Sequence, residues 1–374
     1  MARFFIQGGN PLRGEHRVPG NKNAVLPMLA ACTLTDAPVR LSNVPAIQDV
    51  DAMLAMLDAL GADVHRRGHT VQVRAAGLRE RSLPDPLCRS ARSSILFAGP
   101  MAARHGRITL SPPGGDVIGR RRLDTHIEGL AALGIRLASG RRYTFTRRRD
   151  FHGARILLDE ASVTATENVV MAAVLAPGRT TLFNAACEPH VQDLCRLLVR
   201  MGARIEGIGT NYIRIEGVER LGGADYRVQP DYIDAASFLV AAAVTGGALT
   251  LRDMPAEHMD VLGRPLAKLG LRWTLRDDTL HLPAGQDLAA GNDFGGAVMK
   301  IEDGTWPAFP SDLMSVTLVL ATQARGAVLF FEKLFESRMY FVDRLIDMGA
   351  RIVQCDPHRV LVTGPAPLQG THLS

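Results

Sequence analysis

Leu198-Val199-Arg200-Met201-Gly202, then Ala203-Arg204-Ile205 and, past a turn, Tyr212-Ile213-Arg214-Ile215, is the stretch from which the fold is read. Apolar residues three apart followed by glycine predict the last turn of an amphipathic helix and its C-cap. The alternating residues beyond predict two short strands joined by a turn. The same Leu-x-x-(Leu/Met)-Gly signature recurs at 57–61, 130–134, 266–270 and 345–349, a repeat with a period of about seventy residues.

A second element precedes each signature. Apolar stretches of small residues at 23–34, 94–104, 167–175, 235–244 and 313–321 run through a turn into a strand, as in Thr180-Thr181-Leu182-Phe183. Helices rich in Ala and Val on every face are buried rather than half exposed. Each copy is therefore expected to hold two helices and about four short strands, an α/β architecture of five repeats. Such a repeat suggests an even number of copies with one cut short, since a sixth signature would fall beyond Ser374.

A chain of 374 residues exceeds what one hydrophobic core usually supports, so two domains are expected. No run of eighteen apolar residues occurs, so no membrane span is expected, and the N-terminal apolar stretch is too short for a signal peptide. Five scattered cysteines fit a reducing cytoplasm and give no zinc-ligand spacing. The net charge of +5 comes with no basic stripe interleaved with aromatics, which argues against nucleic acid and for anionic small molecules.

Free amides and the helix dipole make helix N-termini natural anion sites. The starts of the small-residue helices read Gly20-Asn21-Lys22-Asn23, Ser90-Ala91-Arg92, Ser162-Val163-Thr164, Pro230-Asp231-Tyr232 and Pro310-Ser311-Asp312. Ser162, Asp231 and Ser311 are expected to cap their helices whatever else they do. Lys22 is one of only four lysines in a chain that writes its basic positions as arginine, and lysine serves phosphate as a compact point charge. Asp312 is either a cap or a base. Arg338 either pairs with Glu336 or takes a substrate carboxylate bidentately. The loop from Ser111 to His126 sets Asp116 ahead of Arg120-Arg121-Arg122, a carboxylate beside cations that suits proton transfer next to a phosphorylated substrate.

Five motifs in order, Gly20-Asn21-Lys22-Asn23-Ala24, Pro113-Gly114-Gly115, Ser162-Val163-Thr164, Phe309-Pro310-Ser311-Asp312 and Phe335-Glu336-Ser337-Arg338, resemble the enolpyruvyl transferases. The resemblance runs the length of the chain. It implies an inside-out α/β barrel of βαβαββ units in two domains, with the active site in the cleft between them. One domain would be 1–20 plus 231–374 and the other 21–230, and the two crossings would be the hinge on which the cleft closes.

Within that family the motifs are nearest to members that move the enolpyruvyl group of phosphoenolpyruvate onto the 3′-hydroxyl of UDP-N-acetylglucosamine. That is the first committed step of peptidoglycan synthesis, run by addition and elimination through a tetrahedral ketal. The resemblance implies that Lys22 and Arg121 hold the phosphate, Arg338 the carboxylate of phosphoenolpyruvate, and Asp312 acts as base on the sugar hydroxyl. Asn23, Arg92, Arg121, Arg122, Leu123, Asp124, Thr125, Ser162, Val163 and Leu334 would line the nucleotide-sugar site, and Asp116 aligns with the general acid. No metal or organic cofactor, nucleic acid or membrane is implied, and nothing indicates the oligomeric state.

Three departures bear on that assignment. Asp116 stands where most members have cysteine, which implies insensitivity to fosfomycin, an alkylator of that thiol. A carboxyl with a reference pKa of about 3.9 must be raised to serve as an acid near neutrality, and closure around a bound dianion is expected to raise it. Arg122 and Glu160 replace a proline and a basic residue of some members. The sixth unit, with its Asp-x-Arg helix start and a further arginine, is absent from the sequence. Two other readings stay open: a paralogous transferase using another acceptor, such as UMP or shikimate 3-phosphate, and a nucleotide-binding protein without catalysis.

Overall fold

The computed structural model describes residues 4–114 and 122–372. The repeat read from the glycines is visible in the order of the elements. Copy one runs helix Lys22–Ala31, strand Val39–Ser42, helix Gln48–Leu60 and hairpin Asp63–Arg67 with Thr70–Arg74. Copy three repeats it with Val163–Ala173, Arg179–Phe183, Pro189–Arg200 and the hairpin Arg204–Glu206 with Tyr212–Glu216. Copy five does so with Met314–Gln323, Gly326–Phe331, Val342–Asp347 and Arg351–Gln354 with Arg359–Gly364.

All five signature glycines are left-handed, with φ of +95° at Gly61, +88° at Gly134, +105° at Gly202, +90° at Gly270 and +101° at Gly349. At Gly61 the amide donates to Asp58 and Leu57 carbonyls, which satisfies the end of its helix. A side chain there would face both the steric cost of that φ and a backbone oxygen 3.0 Å away.

Each copy builds its own small sheet. The strand after the small-residue helix sits centrally, antiparallel to the second hairpin strand and parallel to a neighbour on its other side. Parallel neighbours need a long connection, and the chain supplies them from well outside the hairpin. Ala224–Arg227 pairs with Val39–Ser42, Arg13–Arg17 with Ala248–Arg252, and Met299–Glu302 with Gly326–Phe331. Copy two has three strands, its parallel neighbour reduced to the single bridge between Ser82 and Thr109. One backbone bond recurs just past each pair: Val228 to Ser42, Leu83 to Thr109, Leu158 to Phe183, Val18 to Arg252 and Asp303 to Phe331.

The described residues form two compact units, one with copies one to three within 19–229 and one with copies four and five plus the strand Arg13–Arg17. Each has its own apolar core, including Met28, Phe97, Val169 and Leu197 in the first and Leu239, Leu262, Leu318 and Phe330 in the second. The small residues let helices approach closely: a Cβ on Gly99 would lie 2.2 Å from the Asn168 carbonyl.

Several local expectations are corrected. The stretch 94–104 is a 3-10 segment, Arg92–Phe97, running into the helix Ala98–His105. The helices expected to start at 167 and 235 begin earlier, as Val163–Ala173 and Tyr232–Val244. Asp231 does cap, accepting from the Ile233 and Asp234 amides. Ser162 precedes its helix without a side-chain cap bond, while its backbone carbonyl takes the Thr166 amide and hydroxyl. Ser311 is no cap; it is the first residue of a 3-10 turn and its hydroxyl is drawn to Glu332.

Candidate functional site

In the three-copy unit the candidate residues fall at helix starts. Lys22 opens the helix Lys22–Ala31, whose cap is Asn21, accepting the Ala24 amide at 3.1 Å. Its ammonium lies 3.5 Å from Asp49 with half its side chain exposed, so a dianion can compete for it. Asn23 follows on the same turn, half buried. Arg92 opens the 3-10 segment, Asp124 and Thr125 open the helix Asp124–Ala132, and Val163 opens Val163–Ala173 behind Ser162. Leu123 is the residue before its helix, and Arg122 donates to Asp124 at 2.7 Å, a bond that holds the guanidinium more firmly protonated.

Beneath these starts lies a polar hub that the sequence motifs do not reveal. Asn168, fully buried, accepts the Gly99 amide at 2.8 Å and donates to the Ile95 carbonyl at 3.0 Å. That fixes its amide orientation, so Nδ2 also meets His126 Nδ1 at 3.1 Å. Nδ1 must then accept, and the ring proton sits on Nε2, facing the Thr164 hydroxyl at 3.0 Å. Burial, with Arg92 nearby, pushes the imidazole down to about 3, so it stays neutral. The hub ties together the three segments that carry Arg92, Thr125 and Val163. Thr125 is held from its other side by Asp159 at 2.6 Å and Glu160 at 3.3 Å, so Glu160 serves its own chain.

In the two-copy unit the candidates are Asp312, Leu334 and Arg338. Asp312 occupies the 3-10 turn Ser311–Leu313 ahead of Met314–Gln323. Arg338 reaches Asp312 through Nη2, largely buried and packed over the Phe335 ring at 5.6 Å. The charged partner of Arg338 within the protein is Asp312, across 26 residues of chain, rather than the expected Glu336. Leu334 is part exposed, and its amide donates to Asp303 at 3.3 Å.

Asp303 and Glu332 were not among the sequence candidates. Both are fully buried. Burial and the adjacent Asp303 push the Glu332 carboxyl up to about 8, against the opposing pull of Ser311 and Arg338. Asp116 and Arg121 lie outside the described residues. Among the described residues no helix is long and apolar enough to cross a membrane.

Known proteins resemble the chain over its whole length. The family described as EPSP synthase (3-phosphoshikimate 1-carboxyvinyltransferase) matches residues 6–373. A protein of Treponema pallidum named UDP-N-acetylglucosamine 1-carboxyvinyltransferase is 51% identical over 374 residues, spanning the whole chain and 88% of that protein. One of the same name from Bradyrhizobium diazoefficiens is 48% identical over 373 residues and 86% of its own length. Among solved structures, the enolpyruvyl transferase NikO from Streptomyces tendae superposes with a TM-score of 0.85 over 97% of this chain and 84% of its own, at 23% identity. EPSP synthase from Acinetobacter baumannii gives a TM-score of 0.74 at 18% identity, over 96% and 83% of the two chains. At those identities the structures speak for the fold alone.

Proposed function

The chain belongs to the EPSP synthase family of carboxyvinyl transferases, and from that membership we propose that it transfers the enolpyruvyl group of phosphoenolpyruvate to the 3′-hydroxyl of UDP-N-acetylglucosamine, releasing phosphate. The observation that carries the reading is the near-half identity, over the full chain, to proteins named for that activity. The reaction would be the first committed step of peptidoglycan synthesis, carried out in the cytoplasm where both substrates arise.

The residues suit the chemistry. Lys22, with Arg121, takes the phosphate of phosphoenolpyruvate, where a helix start adds to the attraction of the ammonium. Asn23, Arg92, Arg122, Leu123, Asp124, Thr125, Ser162, Val163 and Leu334 take the nucleotide sugar. Asp312 withdraws the proton of the sugar hydroxyl as it attacks C2 of phosphoenolpyruvate, while Asp116 protonates C3. Arg338 orients Asp312 until substrate arrives, then exchanges that contact for the substrate carboxylate. Elimination from the ketal returns the C3 proton and expels phosphate.

Phosphate release from phosphoenolpyruvate, measured with UDP-N-acetylglucosamine, UMP and shikimate 3-phosphate as separate acceptors, tests the reading. Turnover only with the amino sugar nucleotide is expected; turnover only with another acceptor, or with none, overturns it. Because Asp116 replaces the thiol, preincubation with fosfomycin should leave activity unchanged, and time-dependent inactivation would contradict the role given to that position.

A further inference from the structure

In every copy the residue after the central strand turns its side chain toward the end of the parallel neighbour or the segment just beyond it. Asn43 donates to the Val228 carbonyl and Asn184 to the Leu158 carbonyl, each at 3.0 Å. The Ser111 hydroxyl donates to Asp85 at 2.6 Å, and Asp253 meets Arg17 at 3.5 Å. In these four a donor meets an acceptor or a cation an anion. In copy five two acids meet, Glu332 and Asp303, both without exposure to water.

Two carboxylates that share a buried site cannot both be ionised, and one must keep a proton. The hydrogen bonds say which. Asp303 accepts the Lys333 amide at 2.5 Å through Oδ1 and the Leu334 amide at 3.3 Å through Oδ2, so both of its oxygens already serve as acceptors. Glu332 accepts only the Ser311 hydroxyl, through Oε1 at 2.7 Å, while its buried Oε2 receives no donor among the described residues. A proton on that oxygen, directed at Asp303, completes the set.

The pair stands behind the candidate site on both sides: Ser311, bonded to Glu332, adjoins Asp312, and one of the two amides that Asp303 holds belongs to Leu334. We propose that Asp303 and Glu332 share one proton and together position Asp312 and Leu334, so that transfer stops when that proton leaves. The proposal rests on the reaction given above and names positioning residues, since neither acid is placed against substrate.

The surrounding charges are accounted for. Arg338 approaches from the loop after Glu332 and favours its ionisation, yet is engaged with Asp312. From the hairpin turn, His358 donates through Nδ1 to the Glu332 carbonyl at 2.7 Å, a backbone contact. Lys300 and Lys333 are taken up by Glu302, at 2.7 and 3.4 Å. No unengaged cation among these neutralises a second charge on the pair.

The test is kcat and KM against pH from 6 to 10 for the full chain and two variants, with thermal unfolding as a check on folding. In the wild type kcat should fall about tenfold per pH unit above a midpoint near 8. Glu332→Gln keeps the donor to Asp303 and the acceptor for Ser311 but has no proton to lose; its kcat at pH 7 should stay within about threefold and its alkaline fall should disappear. Asp303→Asn removes the neighbouring charge, so its fall should move to lower pH. If the variants fold and both profiles superimpose on the wild type, the proposal is wrong. If no acceptor supports turnover at any pH, the reaction reading fails instead. The pair is then judged by 13C titration of the Glu332 carboxyl: a midpoint near 4.5 refutes it and one well above that sustains it.

Discussion

Copies one and five close the same corner of their sheets with opposite chemistry. At Asn43 an amide donates to a carbonyl, a neutral bond that no ordinary change of pH alters. At Glu332 an acid faces another acid in a drier place, with neither side chain exposed where Asn43 is partly so. The neutral corner is what a repeat needs, since it satisfies a buried carbonyl and fastens two strands. The acidic corner does the same fastening but binds a proton to do it, and it is the corner beside Ser311 and Leu334. A fold that repeats its backbone need not repeat its electrostatics, and the copy that departs from the pattern adjoins the proposed chemistry.

The comparison is challenged most strongly at Asp312 itself. Asp312→Asn removes the proposed base and should lower kcat by about a hundred- to ten-thousand-fold with little change in melting temperature. A loss below tenfold would leave the acidic corner with nothing to position.

Next in size is stability against pH. The Glu332 carboxyl is raised in the fold from an ordinary 4.5 to about 8, so its proton stabilises the folded chain fully below 4.5. That contribution is lost as pH rises towards about 8, at up to ~1.4 kcal/mol per pH unit. Urea titrations at pH 5, 6.5 and 8 should show the wild type losing stability relative to Glu332→Gln. A difference independent of pH would remove the distinction between the corners. Asn184→Asp makes the reverse change in a neutral corner. It should cost about 1–3 kcal/mol by losing the donor to Leu158, while the pH profile of kcat keeps its shape. At the hub, Asn168→Asp takes the donor from both Ile95 and His126 and should raise KM for the nucleotide sugar more than it lowers kcat.

Much of this was legible in the chain. The five glycines announced five helix ends because a left-handed C-cap tolerates almost nothing else. Buried helices were visible because alanine and valine on every face have no other use in water. The candidate residues were legible where a helix start and a charged side chain coincide, as at Lys22, Arg92 and Asp312. Capping was harder: a serine before a helix binds whichever partner is nearest, and for Ser311 that is Glu332 from a strand end about twenty residues later. His126 and Asn168 escaped notice because a buried polar residue inside a helix looks in sequence like any exposed one.

By itself, then, the sequence determined the repeat, the α/β class, the helix ends and the charged residues at helix starts, since all of these follow from local sterics and the period of apolar residues. Tertiary structure alone decided that Arg338 goes to Asp312, that one histidine is neutral, and that two acids separated by 29 positions share a dry corner. Protonation depends on what surrounds a group after burial, and those surroundings come from strands and helices far apart in the chain.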